Sequence, residues 1–156
     1  MTVSEINAVV SETRIAATPQ TVFAFFVDPT KMVRWMGSRA DVDARPGGSY
    51  ALDINAQARA RGEFVEVVPY SRVVFTFGWE DDQAVPPGSS TVEVTLTPDG
   101  DGTHVRLIHR GIMTTEMREQ HADGWQHYLA RLSIAAGGGE PGLDPNAQST
   151  PEELKQ

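Results

Sequence analysis

The chain has 156 residues and a mass of 17.0 kDa, enough for one domain with a sizeable core but too little for two independent cores. It contains no cysteine, which excludes disulfides, thiolate metal sites and a cysteine nucleophile. Its formal net charge of −8 disfavours binding to nucleic acid. The N-terminal stretch lacks the pattern of a signal peptide, and no apolar run is long enough to span a bilayer, so we expect a cytoplasmic protein without membrane insertion.

The first elements predicted along the chain are a strand and two short helices. Mixed alternation over residues 9–16 indicates the strand. Thr18-Pro19 is a helix start, because a threonine side chain caps free N–H groups and a proline at the first helical position loses no hydrogen bond. Asp28-Pro29 repeats this pattern and predicts a second short helix that runs to Gly37.

From Asp41 onward, hydrophobic residues recur with a period of two, and turn residues separate segments of strand length. The connections are too short for crossover helices, so the pattern predicts an antiparallel meander. The last strand places Val105, Leu107 and His109 on its inward face. The predicted strands include residues 49–54, 63–68, 73–79, 91–97 and 104–110.

A long helix is predicted to end the domain. Thr114 or Thr115 can cap it, and apolar or aromatic residues then recur at steps of three and four on one face, from Met117 through Ala135. The glycines at 137–139 stop the helix. We therefore expect one domain over residues 1–136 and an acidic tail rich in Gly and Pro over residues 137–156.

This order of elements indicates an α+β fold, in which a twisted antiparallel sheet can curl around the final helix and leave a cavity. The sequence also resembles the START-like (SRPBCC) superfamily, and within it the homologues of the activator of heat-shock protein 90 ATPase. The resemblance runs from about residue 9 to residue 135. It is carried by residues 17–23, Trp35-Met36-Gly37, residues 45–48, 62–69, 72–77 and 102–111, and His121-Ala122-Asp123-Gly124-Trp125.

The resemblance implies a helix-grip fold: a seven-stranded antiparallel sheet around a long C-terminal helix, with two short helices after the first strand. Members of the superfamily commonly bind apolar ligands between sheet and helix. Some are polyketide cyclases or hydroxylase subunits, and one branch stimulates a chaperone ATPase. The fold does not decide among these functions, so the choice must rest on the residues of the site.

Ten residues are predicted to bind a ligand, most of them aromatic residues on faces expected to point inward. A histidine, His109 or His121, would supply a polar group. The alternative for each histidine is a purely structural role. The candidates are Trp35, Tyr50, Phe64, Phe75, Phe77, Trp79, His109, His121, Trp125 and Tyr128.

The residues give weaker support for a metal site, a bound cofactor or catalysis. His121 and His127 are six residues apart rather than the four that place two ligands on one face of a zinc helix, so no metal site is expected. No cofactor motif is present, and no catalytic residue is assigned. Either Glu63 or Glu66 could point inward from its strand. Gly124 within a helix requires a reason, and close packing is favoured over contact with a ligand.

Three functions are compatible with these observations. The preferred hypothesis is a non-catalytic module that binds a small hydrophobic molecule between the sheet and the C-terminal helix. The second is stimulation of a heat-shock chaperone ATPase, with the chaperone as partner. The third is a polyketide cyclase-like enzyme that acts on a small molecule. The sequence leaves the ligand's identity and the oligomeric state open.

Overall fold

The computed structural model describes residues 7–148. The chain begins with strand β1 (Ala8–Ile15), helix α1 (Pro19–Val27) and a short helix α2 (Pro29–Met32). It continues with β2 (Arg39–Val42), β3 (Ser49–Asp53), β4 (Arg59–Val68), β5 (Arg72–Phe77), β6 (Ser90–Asp99) and β7 (Gly102–Arg110). It ends with the long helix α3 (Thr115–Ala136) and a 3₁₀ helix (Pro145–Gln148).

The seven strands form one sheet in the order β1-β7-β6-β5-β4-β3-β2, and every neighbouring pair is antiparallel. The sheet and α3 enclose the core, to which α1 and α2 also contribute buried side chains. This arrangement confirms the α+β helix-grip fold. Within the described residues, no helix combines the length and hydropathy that a membrane crossing requires.

The predicted helix starts are correct, but α2 is shorter than expected. The side chains of Thr18, Asp28 and Thr114 each accept a hydrogen bond from a backbone N–H in the first turn of their helix. α2 ends at Met32 rather than at Gly37, and turns follow in which the N–H groups of Trp35 and Met36 donate to the Met32 carbonyl oxygen. These turns place Trp35 and Met36 in the core.

Strand β4 differs from its prediction in two ways. It begins at Arg59, so Gly62 lies inside the strand rather than before it. A Cβ at this position would be 1.8 Å from the carbonyl oxygen of Thr76, so only glycine fits there. A bulge also shifts the register between Phe64 and Glu66, so simple alternation fails at this point. Phe64 is buried in the core, whereas Glu63 is exposed and Glu66 pairs with Arg72. Neither glutamate therefore points into the core as alternation allowed.

Candidate functional site

A cavity of about 590 Å³ lies between the concave face of the sheet and the first half of α3. Leu52 and Phe77 line it from the strands, and α3 contributes its aromatic and polar residues from the opposite side. This volume falls within the range of about 300–1,000 Å³ typical of small-molecule sites. The predicted residues in its wall are Phe77, Trp79, His121, Trp125 and Tyr128.

One pair in this wall joins Trp79, just after β5, to His121 on α3. The Trp79 indole N–H donates to His121 Nε2 at 3.1 Å, and His121 Nδ1 lies 2.7 Å from the carbonyl oxygen of Met117. Because an indole nitrogen only donates, His121 Nε2 must accept, which leaves the ring proton on Nδ1 to bond the helix carbonyl. Both ring nitrogens of His121 are therefore occupied by protein partners.

A second pair lies behind the wall, where Trp125 on α3 donates its indole N–H to His109 Nδ1 at 3.0 Å. His109 Nε2 is 2.8 Å from Ser90 Oγ, and that hydroxyl donates to the carbonyl oxygen of Phe77 at 2.7 Å. The same donor argument assigns the proton of His109 to Nε2, so the bonds run in one direction from Trp125 to Phe77. This series of hydrogen bonds connects α3 to the middle of the sheet.

His109 is neutral in this setting. Its side chain is fully buried, as alternation along β7 predicted. Burial, and secondarily the nearby His121, lower the pKa of His109 to about 3. A buried imidazolium would also lose the hydrogen bond from Trp125, because both of its nitrogens would carry protons. His109 thus supports the cavity wall from behind rather than facing a ligand.

Polar side chains surround the cavity, and the charged ones are acidic. Glu80 pairs with Arg61 at 2.7 Å and with Arg59 at 3.3 Å, while the Asp82 carboxylate accepts from the backbone of the loop that follows it. Within residues 7–148, neither lysine nor arginine lines the cavity. The polar lining residues are Gln57, Glu80, Asp81, Asp82, Gln83, Gln120 and His121.

Gly124 lies in the cavity wall in the middle of α3. No described atom outside its own stretch of helix lies within 4 Å of the position that a Cβ would take. Close packing, the reason preferred from sequence, is therefore wrong, because the glycine faces open space. Glycine inside a helix costs about 1 kcal/mol relative to alanine, so its effect here is to leave room in the cavity.

Five of the predicted ligand-binding residues do not line this cavity. Trp35, Tyr50, Phe64 and Phe75 are almost fully buried within the aromatic core at the other end of the sheet, and His109 lies behind the wall. A small inner cavity of about 10 Å³ lies among some of these side chains. It is bordered by Phe26, Met32, Trp35, Met36, Tyr50, Phe75 and Trp125.

The chain after α3 packs back onto the domain, which the sequence did not predict. Asp144 is buried, and its carboxylate accepts from the Gly37 N–H at 2.9 Å and the Tyr128 hydroxyl at 2.8 Å. Arg131 donates to the carbonyl oxygens of Trp35 and Gly142. Residues 137–148, hereafter the strap, therefore belong to the folded unit, while residues 149–156 of the predicted tail lie outside the described residues.

Several lining residues had recognisable signals that the prediction did not use. Leu52 on β3 and Ile54 just after it share one face with Tyr50, and Met117 lies one helical turn before His121. By contrast, Ser90 and Asp144 carry no signal in the sequence, because their roles depend on partners far along the chain. Within residues 7–148, no three acidic or histidine side chains converge in a way that could hold a metal ion.

The fold and the position of the cavity define a START-like, helix-grip domain. The chain belongs to the family of Activator of Hsp90 ATPase homolog 1-like proteins, whose family model matches residues 16–137. This match covers six of the seven described strands and all of α3. Residues 138–148 of the strap lie beyond the matched segment. The contacts of the buried Asp144 carboxylate are therefore not covered by the family match.

Solved structures agree with this assignment. The AHSA1-like protein from Rhizobium etli is 46% identical, with a TM-score of 0.72 over 88% of this chain and 86% of that chain. The Aha1 dimer from Colwellia psychrerythraea is 15% identical, with a TM-score of 0.74 over 85% and 98%. DynU16, from the dynemicin biosynthetic locus, is 21% identical, with a TM-score of 0.77 over 88% and 50%. The last two likenesses show the fold alone. No curated protein matches the chain.

Proposed function

We propose that this protein binds a small hydrophobic molecule in the cavity between the sheet and α3. The observation that carries the proposal is a cavity of about 590 Å³, open to solvent at its polar rim and walled by aromatic and aliphatic side chains, next to a closely packed core. A concave site of this volume, with mainly apolar walls and a few polar groups, is typical of small-molecule binding. Gly124, at a helical position where alanine would be more stable, supports the same conclusion.

The walls favour a ligand that is mainly apolar. The polar atoms of Trp79 and His121 are bonded to each other or to the backbone, so they present ring faces and edges to the interior. An anionic head group would meet carboxylates at the rim, and no lysine or arginine among the described lining residues would compensate for its desolvation. The proposed ligand is therefore neutral or cationic, in contrast to a fatty acid or an acyl phosphate.

Gly124→Leu provides the sharpest test, because the added side chain would extend into the cavity without displacing a described atom near its Cβ. Titration with Nile red, a neutral apolar dye, should show saturable binding to the wild type and an affinity lower by about tenfold or more in the variant. Ala130→Leu, on the exposed face of the same helix, is the matched control and should bind like the wild type.

Native mass spectrometry of the purified protein, followed by solvent extraction, should identify any molecule that copurifies. Equal binding of Nile red by the wild type and Gly124→Leu would contradict the proposal, because the dye would then be bound elsewhere. Failure of the wild type to bind Nile red, with no copurifying molecule, would also count against it.

Stimulation of a chaperone ATPase is the second candidate, favoured by the description of the family to which the chain belongs. In this case the partner would be a heat-shock chaperone, and the surface rather than the cavity would carry the function. An ATPase assay with the Hsp90 homologue of the same organism separates the two. Stimulation that is unchanged in Gly124→Leu would favour the chaperone function, since filling the cavity leaves the surface intact.

A cyclase-like reaction would need an acid or base that faces the ligand. Both nitrogens of His121 and of His109 have protein partners, and Glu80 is held by two arginines. These contacts support binding over catalysis as the first hypothesis to test. A cytoplasmic location remains a prediction from the sequence, which cell fractionation would test.

A further inference from the structure

The small inner cavity beside Tyr50 has a feature that the packed core around it lacks. Tyr50 is 2% exposed, and among the described residues its hydroxyl has no hydrogen-bond partner. Its ring stacks on Phe75, with centroids 4.1 Å apart, and this contact fixes the position of the hydroxyl. A buried polar group without a partner destabilises the fold and therefore requires an explanation.

The inner cavity is next to the proposed ligand site. Met36 and Trp125 border both spaces, so their side chains lie between the two. Trp125 is held by its bond to His109, whereas methionine is unbranched and adapts readily to a new neighbour. A change of rotamer at Met36 is therefore the simplest way to connect the two cavities.

The inner cavity also limits what could enter it. Its volume of about 10 Å³ is close to the space needed for one water-sized group. Its surroundings are apolar apart from Tyr50 itself and the indoles of Trp35 and Trp125, whose N–H groups already donate to the carbonyl oxygen of Phe25 and to His109. A charged group would lose its hydration here without a counter-ion, so a neutral polar group is favoured.

We propose that the ligand site continues past Met36 and that the ligand places one neutral oxygen substituent, a hydroxyl or a carbonyl, against the hydroxyl of Tyr50. This inference rests on the proposed function, because the main cavity holds the apolar body of the ligand. It narrows the ligand class to neutral apolar molecules with an oxygen at one end, such as phenols, ketones or alcohols. Tyr50 remains a donor in this setting, since burial raises the pKa of its hydroxyl above the ordinary value.

Two probes of equal shape test the inference: 4-phenylphenol and 4-methylbiphenyl, which differ by a hydroxyl in place of a methyl group. Isothermal titration calorimetry should show that the wild type prefers the phenol. In Tyr50→Phe, affinity for the phenol should fall about three- to tenfold, while affinity for 4-methylbiphenyl should stay within twofold. Tyr70→Phe removes the hydroxyl of a half-exposed tyrosine and is the matched control.

Isotope-filtered NMR provides a second readout on the unmodified protein, independent of how Tyr50→Phe folds. Contacts between the hydroxyl-bearing ring of 4-phenylphenol and the ring of Tyr50 are expected. Equal affinities of the wild type and Tyr50→Phe for both probes, or contacts limited to rim residues such as Gln120, would overturn the inner site and leave the proposed function intact. Failure of the wild type to bind either probe would count against both proposals.

Discussion

The two ends of the concave sheet face carry similar aromatic side chains but have opposite structures. At one end, Tyr50, Phe64 and Phe75 pack against one another, and the ring of Trp35 lies edge-on to Phe26 of α1. At the other end, Phe77 of β5 and Trp79 in the segment after it line an open cavity. Aromatic residues alone therefore do not make a ligand site.

The element that packs across each end accounts for this difference. α1, α2 and the turns after α2 fill the closed end with large side chains such as Phe26, Met32 and Trp35. The open end faces the first half of α3, where Gly124 contributes no side chain. In this fold, the size of the cavity depends on the residues opposite the sheet more than on the sheet itself.

The largest expected effect comes from truncating the closed end. Phe75→Ala should lower the free energy of unfolding by about 3–5 kcal/mol, because it leaves a hole in a closely packed core. Trp79→Ala at the open end should cost only about 1–2 kcal/mol, since this side chain is partly exposed and already borders a cavity. Denaturation in urea measures both, and equal losses would contradict the distinction between the two ends.

The strap connects the two ends, because Asp144 bonds to Gly37 at the closed end and to Tyr128 in the cavity wall. Asp144→Ala should lower the free energy of unfolding by about 2–3 kcal/mol by leaving these donors unpaired. Asp144→Asn keeps an oxygen for them and should lose less. Thermal unfolding of both variants tests this, and a wild-type stability for Asp144→Ala would show that the strap does not contribute.

His109 should make the stability of the protein depend on pH. Its pKa is about 3 when folded, against 6.5 for an ordinary histidine, so between these values the unfolded chain binds a proton that the folded chain excludes. Stability is therefore expected to fall as pH decreases through this window, by up to about 1.4 kcal/mol per pH unit from this residue. His109→Gln should lack this contribution. The free energy of unfolding, measured by urea denaturation of both proteins across this pH range, should therefore fall more steeply for the wild type as pH decreases. Parallel pH profiles would argue against a buried neutral histidine.

The smallest effect is expected at Gly124, and it has the opposite sign. Gly124→Ala should raise the free energy of unfolding by about 0.5–1 kcal/mol, because alanine favours the helix and the added methyl group enters open space. At the closed end, Gly37 has a φ of 74° and a Cβ there would lie 2.6 Å from the Asp53 carbonyl oxygen, so Gly37→Ala should destabilise instead. Circular dichroism melting curves distinguish the two, and a loss of stability in Gly124→Ala would mean that the helix is tightly packed there after all.

Prediction from the sequence succeeded where the signal is local. The caps at Thr18, Asp28 and Thr114 mark the helix starts because a capping side chain acts within one turn. The inward orientation of His109 follows from alternation along one strand. Prediction of β4 failed at the bulge after Phe64, because the extra residue is accommodated by pairing with a neighbouring strand and leaves no local signature.

The sequence by itself determined the order of strands and helices, the family, and the inward face of most strands, because these depend on periodicity, caps and turns within short segments. Only the tertiary structure decided which inward aromatic residues meet and which leave space. It also decided that Asp144 is buried and that Gly124 faces the cavity. Such outcomes depend on contacts between residues far apart in the chain, and the volume left between two packed elements is a property of neither element alone.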